Sequence, residues 1–260
     1  MYTSKRPANR LVITALLTTG MLLPAITTGD ETRTTAKPRG IGVALTISNT
    51  PEAYEALDNE YLGSITPVYQ GNRFNMDGES VTYRILGSDH LRLEALGKSE
   101  RRGFEKENYS DMTGLKDRKT SFDVGLRAHY GNFHLDITTD ASDKHKGQEV
   151  SLHYGKPNNQ AWTGKRELQL SPIAGVIWQS DEVVDYYYGV DTSEATSTRA
   201  TFAGKSALTP YLGLQANANL SRSVSMNASA AYHHVPDEIS DSPVADDHDV
   251  RFNIGIAYWF

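Results

Sequence analysis

The last nine residues of the chain constrain its fold more than any other segment. Apolar or aromatic residues share one parity and mostly small or polar residues the other; the apolar set is Phe252, Ile254, Ile256, Tyr258 and Phe260. Strict alternation of this kind predicts a β-strand with one apolar face. That face continues to an aromatic terminus, which is typical of the closing strand of a bacterial outer-membrane barrel, whose apolar face contacts lipid.

The opposite end of the chain predicts export. Lys5, Arg6 and Arg10 precede the apolar run 11–23, and small residues follow it. This order favours a cleaved secretory signal peptide over a membrane anchor, because the run is too short for a spanning helix. We therefore expect a signal peptide over 1–28 and an outer-membrane β-barrel over 29–260. The aromatic C-terminus resembles an outer-membrane sorting signal, so we expect the outer-membrane assembly machinery to bind through Phe260.

Composition narrows the class of protein further. The chain has no cysteine, which excludes a lipid-modified N-terminus and a structural disulfide. A net charge of −6 argues against a nucleic-acid partner. Mean hydropathy is −0.48, and no later segment is apolar enough for a transmembrane helix. Low mean hydropathy is still compatible with a membrane-spanning β-barrel, because the lipid-facing and lumen-facing residues of its strands alternate.

Alternation through the rest of the sequence predicts an all-β, antiparallel transmembrane barrel. Eight strands follow His90, within 91–95, 122–130, 133–138, 150–154, 168–178, 208–218, 224–233 and 252–260. Long and short connections alternate between them, so Phe260 and the short turns are expected in the periplasm. An N-terminus on that side requires an even number of earlier strands. Dividing 62–76 at Gly71 gives twelve strands in total, which we favour; ten strands, and a soluble sandwich or lipocalin-like barrel, stay open.

Charged residues recur on the second face of these strands, so that face is expected to line a polar lumen. The set comprises Arg84, Arg92, Glu94, Asp123, Arg127, His129, His134 and Asp136. Two readings fit: a narrow ion-selective pore, or opposite charges that pair across strands and fill the lumen. The mixture of signs on neighbouring strands favours pairing.

One group of histidines and aspartates has the residue types of an enzyme active site. His233 and His234 end the penultimate strand, and Asp246–Asp249 begin the last, so antiparallel pairing is expected to bring them near the same rim. Such a cluster activates water or binds a divalent cation in other proteins. No nucleophile, phosphate-binding or metalloprotease motif supports that chemistry here. We therefore expect no enzyme activity, no catalytic residue, no cofactor and no metal site, and interpret the cluster as a solvated rim.

Three segments, in order along the chain, resemble the MipA/OmpV family of MltA-interacting outer-membrane proteins. The most specific is Tyr186–Ala195, which is similar to the family's Tyr-aromatic-Gly-Val-(Ser/Thr)-x-x-(Glu/Gln)-Ala signature. Asp241–Val244 resembles its Asp-Ser-Pro-(Leu/Ile)-Val. Pro51–Glu55 resembles its Pro-x-Tyr-x-Gly-Ser loop, although Ala56 and Leu57 replace the Gly-Ser. From the sequence, Tyr186–Tyr188 are interpreted as loop anchors at the lipid headgroups.

This resemblance implies a function as well as a fold. It implies a scaffold in the outer membrane of a Gram-negative bacterium, with a murein hydrolase and a murein synthase as protein partners. Contacts with outer-membrane lipid and lipopolysaccharide are expected from the barrel itself. The alternative functions are a narrow outer-membrane pore, or a surface adhesin or osmotic-response protein. The resemblance supplies no catalytic residues.

Overall fold

The computed structural model describes residues 12–15, 39–49, 54, 61–88, 91–100, 102–103, 113–156 and 165–260. It contains thirteen strands: β1 (Val12–Ala15), β2 (Gly40–Asn49), β3 (Tyr61–Gln70), β4 (Phe74–Met76), β5 (Ser80–Gly87), β6 (Leu91–Glu100), β7 (Ser121–Tyr130), β8 (Phe133–Asp140), β9 (Gln148–Tyr154), β10 (Glu167–Gln179), β11 (Ala207–Asn219), β12 (Val224–His234) and β13 (His248–Trp259). Two helices, α1 (Asp181–Tyr188) and α2 (Asp237–Ser240), lie in the connections.

Strands β2 to β13 form a closed, antiparallel barrel of twelve strands. Each strand pairs with its neighbours in sequence, and β13 returns to pair with β2. The short β4 completes the ring by pairing with β3 as well as with β5. The prediction of twelve strands is confirmed, including the division of 62–76 by a turn at 71–73. Because the barrel is closed, each strand of the ring has a hydrogen-bonded neighbour on both sides. A barrel in lipid requires this, because its backbone polar groups have no water to bind.

The strand β1 is additional to this ring. It pairs in parallel with the first half of β3, from Val12 opposite Leu62 to Ala15 opposite Ile65. Its four residues belong to the predicted signal peptide, and the rest of 1–28 lies outside the described residues. The assignment of 1–28 as a signal peptide stays a prediction.

The apolar faces of the strands point out of the barrel. On β13, Ile254 and Ile256 are 53% and 43% exposed, and Phe260 after it is 79% exposed. Polar residues alternate with them and face inward, as Asn253 does. A soluble sandwich would bury the apolar face and expose the polar one, so that alternative is wrong. An apolar exterior around a polar interior suits lipid as the surrounding solvent. Neither helix among the described residues is long and apolar enough to cross a membrane.

The two ends of the barrel differ in their connections. We call the end with the turns at 71–73, 131–132 and 220–223 the turn end. The other end, with the connections 180–206 and 235–247, is the loop end and contains both helices. The predicted alternation of long and short connections holds for most of them, but the connection 155–166 at the turn end is longer than 77–79 and 141–147 at the loop end. That the turn end faces the periplasm stays a prediction.

Candidate functional site

The tyrosine-rich segment forms a buried helix at the loop end. Ser180 precedes α1, whose buried side chains are Val183, Val184, Tyr187 and Tyr188. Their spacing of three and four residues gives the helix one apolar face. This face joins residues from several other connections in a compact apolar cluster, which we call the loop-end cap. The cap comprises Tyr54, Leu115, Val183, Val184, Tyr187, Tyr188, Val190, Ala207, Val235, Ile239, Val244 and Ala245.

Side chains from three distant parts of the chain bind the C-terminal end of α1. The Tyr54 hydroxyl donates to the carbonyl of Tyr187 at 2.9 Å, and the Ser242 hydroxyl donates to that of Tyr188 at 2.6 Å. Arg118 donates to the carbonyl of Gly189 at 2.9 Å. The last carbonyls of a helix have no partner within it, so these contacts satisfy groups that burial would otherwise leave unpaired.

Glu194 connects two of these loops. Its carboxylate accepts backbone N–H groups of Lys116 at 2.6 Å and of Asp191 at 3.0 Å. The Arg118 guanidinium lies 3.5 Å away, and both side chains are buried. Burial opposes ionisation of Glu194, but these backbone donors and the Arg118 charge outweigh it and hold the pKa of Glu194 below its usual value. Glu194 is therefore a charged, buried residue whose carboxylate holds two loops of the cap together.

All three segments of the family resemblance meet in this cap. Tyr54 belongs to the first segment, Tyr186–Ala195 is the second, and Ser242 and Val244 belong to the third. The interpretation of the tyrosines as lipid-headgroup anchors is wrong, since Tyr187 and Tyr188 are buried inside the cap. The apolar spacing of Val183, Val184, Tyr187 and Tyr188 by three and four residues is the signal in the sequence that could have indicated this burial.

Burial also changes the acidity of the cap tyrosines. Desolvation raises the pKa of Tyr188 to about 12 and places that of Tyr54 well above its usual value. The rings of Tyr54 and Tyr188 pack 5.6 Å apart. Both phenols therefore stay neutral at physiological pH.

A layer of charged residues lies directly below the cap. Lys98 contacts Glu149 at 2.6 Å, and Arg102 contacts Glu100 at 2.8 Å and also pairs with Glu149. The Arg102 guanidinium lies 5.4 Å from the centre of the Tyr187 ring, within the range of a cation–π contact. The polar lumen and the apolar cap are thus joined through Arg102.

Ion pairs continue along the lumen toward the turn end. Arg127 makes a two-point contact with Asp136 at 2.7 and 2.6 Å. Glu94 lies 3.6 Å from Arg92 and 3.0 Å from His129. The prediction that opposite charges pair across strands is confirmed for Arg127 on β7 with Asp136 on β8. Arg92 and Glu94 both lie on β6 and pair along that strand instead. Of the remaining predicted inward residues, Asp123 contacts His145 at 3.1 Å, His134 contacts the Gly155 carbonyl at 3.2 Å, and Arg84 has an Nε without a hydrogen-bond partner among the described residues.

Three residues of the group near the last connection, His233, His234 and Asp249, have different surroundings. His233 is buried and stacks on Tyr211 with ring centres 4.6 Å apart, whereas His234 is exposed. Asp249 is opposite His233 in the strand register, but its carboxylate binds Arg251 at 2.6 Å. The interpretation of the cluster as a solvated rim stays a prediction.

A different trio approaches metal-binding geometry at the loop end. Ligand atoms of Asp123, Asp140 and His145 lie within 4.8 Å of one another, the one such group among the described residues. The hydrogen bonds of the trio favour a structural role. Gly147 donates its N–H to Nδ1 of His145, so the ring proton lies on Nε2 and points to Asp123. Asp140 accepts backbone N–H groups from the loop that follows it, including that of Lys146 at 2.9 Å.

These features define the class of protein: a β-barrel of the outer membrane, with a charge-paired lumen and an apolar cap over one end. A family model described as MltA-interacting protein MipA matches residues 41–260. The chain therefore belongs to the MipA family, as the three motifs predicted.

Several named proteins are similar to this chain. The MltA-interacting protein of Escherichia coli K12 is 28% identical over 204 residues, which cover 73% of this chain and 80% of that protein. Outer membrane protein OmpV of Vibrio cholerae is 25% identical over 195 residues, covering 73% and 74%. The putative outer membrane protein YiaT of E. coli K12 is 32% identical over 114 residues, covering 40% of this chain and less than half, 46%, of that relative. These relatives support the Gram-negative outer membrane as the location.

Proposed function

We propose that this protein is a non-enzymatic adaptor that holds murein-remodelling enzymes close to the outer membrane. The observation that carries the proposal is its membership of the MipA family, together with its similarity to a relative whose name states an interaction with MltA. The partners we propose are a murein hydrolase and a murein synthase. Outer-membrane lipid and lipopolysaccharide surround the barrel in this proposal.

The residues that line the lumen support a function as an adaptor rather than as a pore. Paired charges such as Arg127 with Asp136 occupy the interior, and the loop-end cap packs over them through Tyr187 and Arg102. A conducting pore requires an open path lined by groups that bind ions weakly. Hydrolase activity of this protein is also less well supported, because the carboxylate of Asp249 is paired with Arg251 rather than with His233.

The charge of the turn end suggests where a partner binds. Lys156, Lys165, Arg166 and Arg222 are exposed there, and we call these four residues the basic turn surface. They belong to the connections on either side of the β10–β11 hairpin, whose ends meet where Glu167 is opposite Asn219. With Phe260 in the periplasm, this surface faces the murein layer. The family motifs are buried in the cap at the other end and stabilise the fold, so they need not contact a periplasmic partner.

Affinity capture from crosslinked cell envelopes tests the proposal. We expect wild-type protein to recover a murein synthase or hydrolase, and the double variant Arg166→Glu, Arg222→Glu to recover several-fold less. The matched control is Lys205→Glu, an exposed loop-end charge reversal, which should leave recovery unchanged. Heat-dependent gel mobility confirms that each variant is a folded barrel.

Two outcomes would count against this function. Recovery of a solute-uptake or host-surface ligand without any murein enzyme would remove the adaptor role. Equal loss of murein enzymes in the Lys205→Glu control would remove the assignment to the basic turn surface, because a loop-end charge would then matter as much.

A further inference from the structure

A row of imidazole and phenol rings lines the lumen, and neither the cap nor the ion pairs accounts for it. Adjacent ring centres are separated by 4.5 Å from His129 to His134, 5.5 Å from His134 to His153, 6.0 Å from His153 to Tyr211, and 4.6 Å from Tyr211 to His233. We call these five residues the histidine row. Four of its five members are imidazoles, the side chains that change charge closest to neutral pH.

The strand register places these rings side by side. His129 is opposite His134 on the neighbouring strand, and His134 is opposite His153. His153 and Tyr211 lie on either side of Gly175 in β10, which has no side chain to separate them. The Tyr211 hydroxyl therefore reaches across β10 and lies 2.6 Å from Nδ1 of His153.

The row continues to the loop-end cap. His233 is opposite Tyr211 in the register, and the two rings stack with an angle of 15° between their planes. His233 is buried and lies two residues before Val235, which belongs to the cap. At the other end of the row, His134 lies two residues after the turn at 131–132. The histidine row thus connects the turn end of the lumen with the cap.

The hydrogen bonds of the row fit uncharged imidazoles. Nδ1 of His129 and Nδ1 of His233 are buried and have no hydrogen-bond partner among the described residues. A neutral imidazole has one donor and one acceptor nitrogen, whereas both nitrogens of an imidazolium are donors. An unpaired buried donor is more costly when it carries charge. Protonation in the packed row would therefore leave a charged N–H group unpaired at both positions.

The charged groups that face the row are already bound to one another. They lie on β6, β7, β8 and β13 and just after β6, and comprise Arg92, Glu94, Arg102, Arg127, Asp136, Asp249 and Arg251. The carboxylate of Asp136 is bound by Arg127, and that of Asp249 is bound by Arg251. Glu94 is shared by Arg92 and His129. A new positive charge on His134, His153 or His233 therefore has no counter-ion of its own among the described residues.

Neighbouring rings also limit how many protons the packed row accepts. Like charges repel strongly where the dielectric constant is low, so a charge on one ring disfavours a charge on the next. His134 lies between two other imidazoles, those of His129 and His153. The cations Arg102 and Arg251 oppose a charge on His233 in the same way. In acid, the packed row thus holds fewer protons than separated histidines do.

We propose that the histidine row is an acid-sensitive switch, in which protonation below about pH 6.5 separates neighbouring rings and loosens both the lumen and the cap. At neutral pH the rings are uncharged and pack together. In acid, a loosened chain takes up protons that the packed row excludes, so falling pH favours the loosened state. Carboxylates stay ionised at about pH 5.5, so the ion pairs remain intact when the switch operates.

Urea unfolding in lipid vesicles at about pH 7.5 and about pH 5.5 tests this switch. Each imidazole that is uncharged in the folded barrel and ionises normally after unfolding raises the unfolding equilibrium constant about tenfold over that interval. We expect a rise of about 100-fold or more in the wild type, because His134, His153 and His233 all contribute. His134→Gln and His233→Gln should each reduce that rise about tenfold.

Hydrogen exchange of the cap segment 183–190, corrected for intrinsic rates, tests whether the switch reaches the loop end. We expect exchange in the wild type to be several-fold faster at the lower pH, and His233→Gln to remove most of that difference. Cap exchange that is the same at both pH values would overturn the coupling of the row to the cap.

The matched control is His234→Gln, which removes an exposed imidazole next to His233. It should keep the full pH response of the wild type, because an exposed imidazole ionises alike in the folded and unfolded chain. Heat-dependent gel mobility identifies any variant that fails to fold, and His153→Gln then replaces it with the same expected loss. Equal stability of the wild type at both pH values, or an undiminished pH response in the folded row variants, would overturn the switch.

Discussion

At the residue scale, Glu194 shows how one buried charge holds separate loops together. Replacement by Ala removes the acceptor for two backbone N–H groups and leaves Arg118 buried without its carboxylate. Breaking a buried ion pair in this way costs about 3–5 kcal/mol. We expect Glu194→Ala to raise hydrogen exchange across 183–195, measured by mass spectrometry. Asp191→Asn alters an exposed pair with Lys116 and should change exchange little; equal effects would contradict the role of Glu194.

The pH dependence of the cap follows from the same carboxylate. The pKa of Glu194 is held below its ordinary value, so its ionised form stabilises the cap above about pH 4.3. That stabilisation is lost as the pH falls through the lowered pKa of the folded state. Wild-type protection, corrected for intrinsic exchange rates, should therefore decrease in acid. Glu194→Gln should remove this component, and an unchanged acid response in that variant would assign it to another group.

The pKa of Tyr188 limits the stability of the cap at high pH, as that of Glu194 does at low pH. Burial raises its pKa to about 12 from a usual value near 10. The folded cap thus holds a proton that the unfolded cap releases, and this contribution to stability is lost as the pH rises between those values. A spectrophotometric titration should show late phenolate formation, and Tyr188→Phe should remove one late-titrating group. Titration of every tyrosine near pH 10 would contradict burial in the cap.

At the element scale, a glycine in β10 sets the contact between its two neighbours. Gly175 lies opposite both His153 and Tyr211, and a Cβ there would lie 2.5 Å from the Tyr211 hydroxyl. Gly175→Ala should displace the phenol from His153 and lower the free energy of unfolding by about 1–3 kcal/mol. Urea unfolding in lipid vesicles, followed by tryptophan fluorescence, measures this change.

The control for that substitution lies in the turn between β7 and β8. Gly131 has φ of +58°, which Asn tolerates, and open space around its Cβ position. Gly131→Asn should leave the unfolding midpoint nearly unchanged. A midpoint equally insensitive to Gly175→Ala would mean that the β9–β10–β11 contact adjusts without cost.

At the scale of the whole molecule, the paired lumen and the cap predict a barrel that does not conduct. Planar-bilayer recordings of purified protein should show no stable single-channel steps. The physical reason is that charges inside the lumen, such as Arg127 on β7 and Asp136 on β8, already neutralise each other. Stable steps that disappear in Arg92→Ala would contradict this prediction and favour the pore.

Much of this architecture was predictable from the sequence, because barrel strands have a local rule. Successive side chains point to opposite faces, so apolar residues two apart, such as Ile254 and Ile256, identify a strand and its outer face without reference to any other segment. The lengths of the connections then indicated the direction of each strand, and the turn near Gly71 favoured twelve strands over ten. The family motifs could also be recognised in the sequence, because each is a short run of consecutive residues.

Only the tertiary structure decided what those motifs and inward residues contact. Tyr54, Tyr187 and Ser242 are far apart in the chain, and their meeting in the cap depends on how the loops fold over the closed barrel. The row of imidazoles depends on register: the sequence placed His129 and His134 on an inward face, but a shift between strands would separate them. The sequence by itself determined the barrel and its two faces, since alternation is a local property. The cap required the loops to fold over the closed barrel, and the histidine row required the register of β7, β8 and β9, because these determine which residues distant in the chain become neighbours.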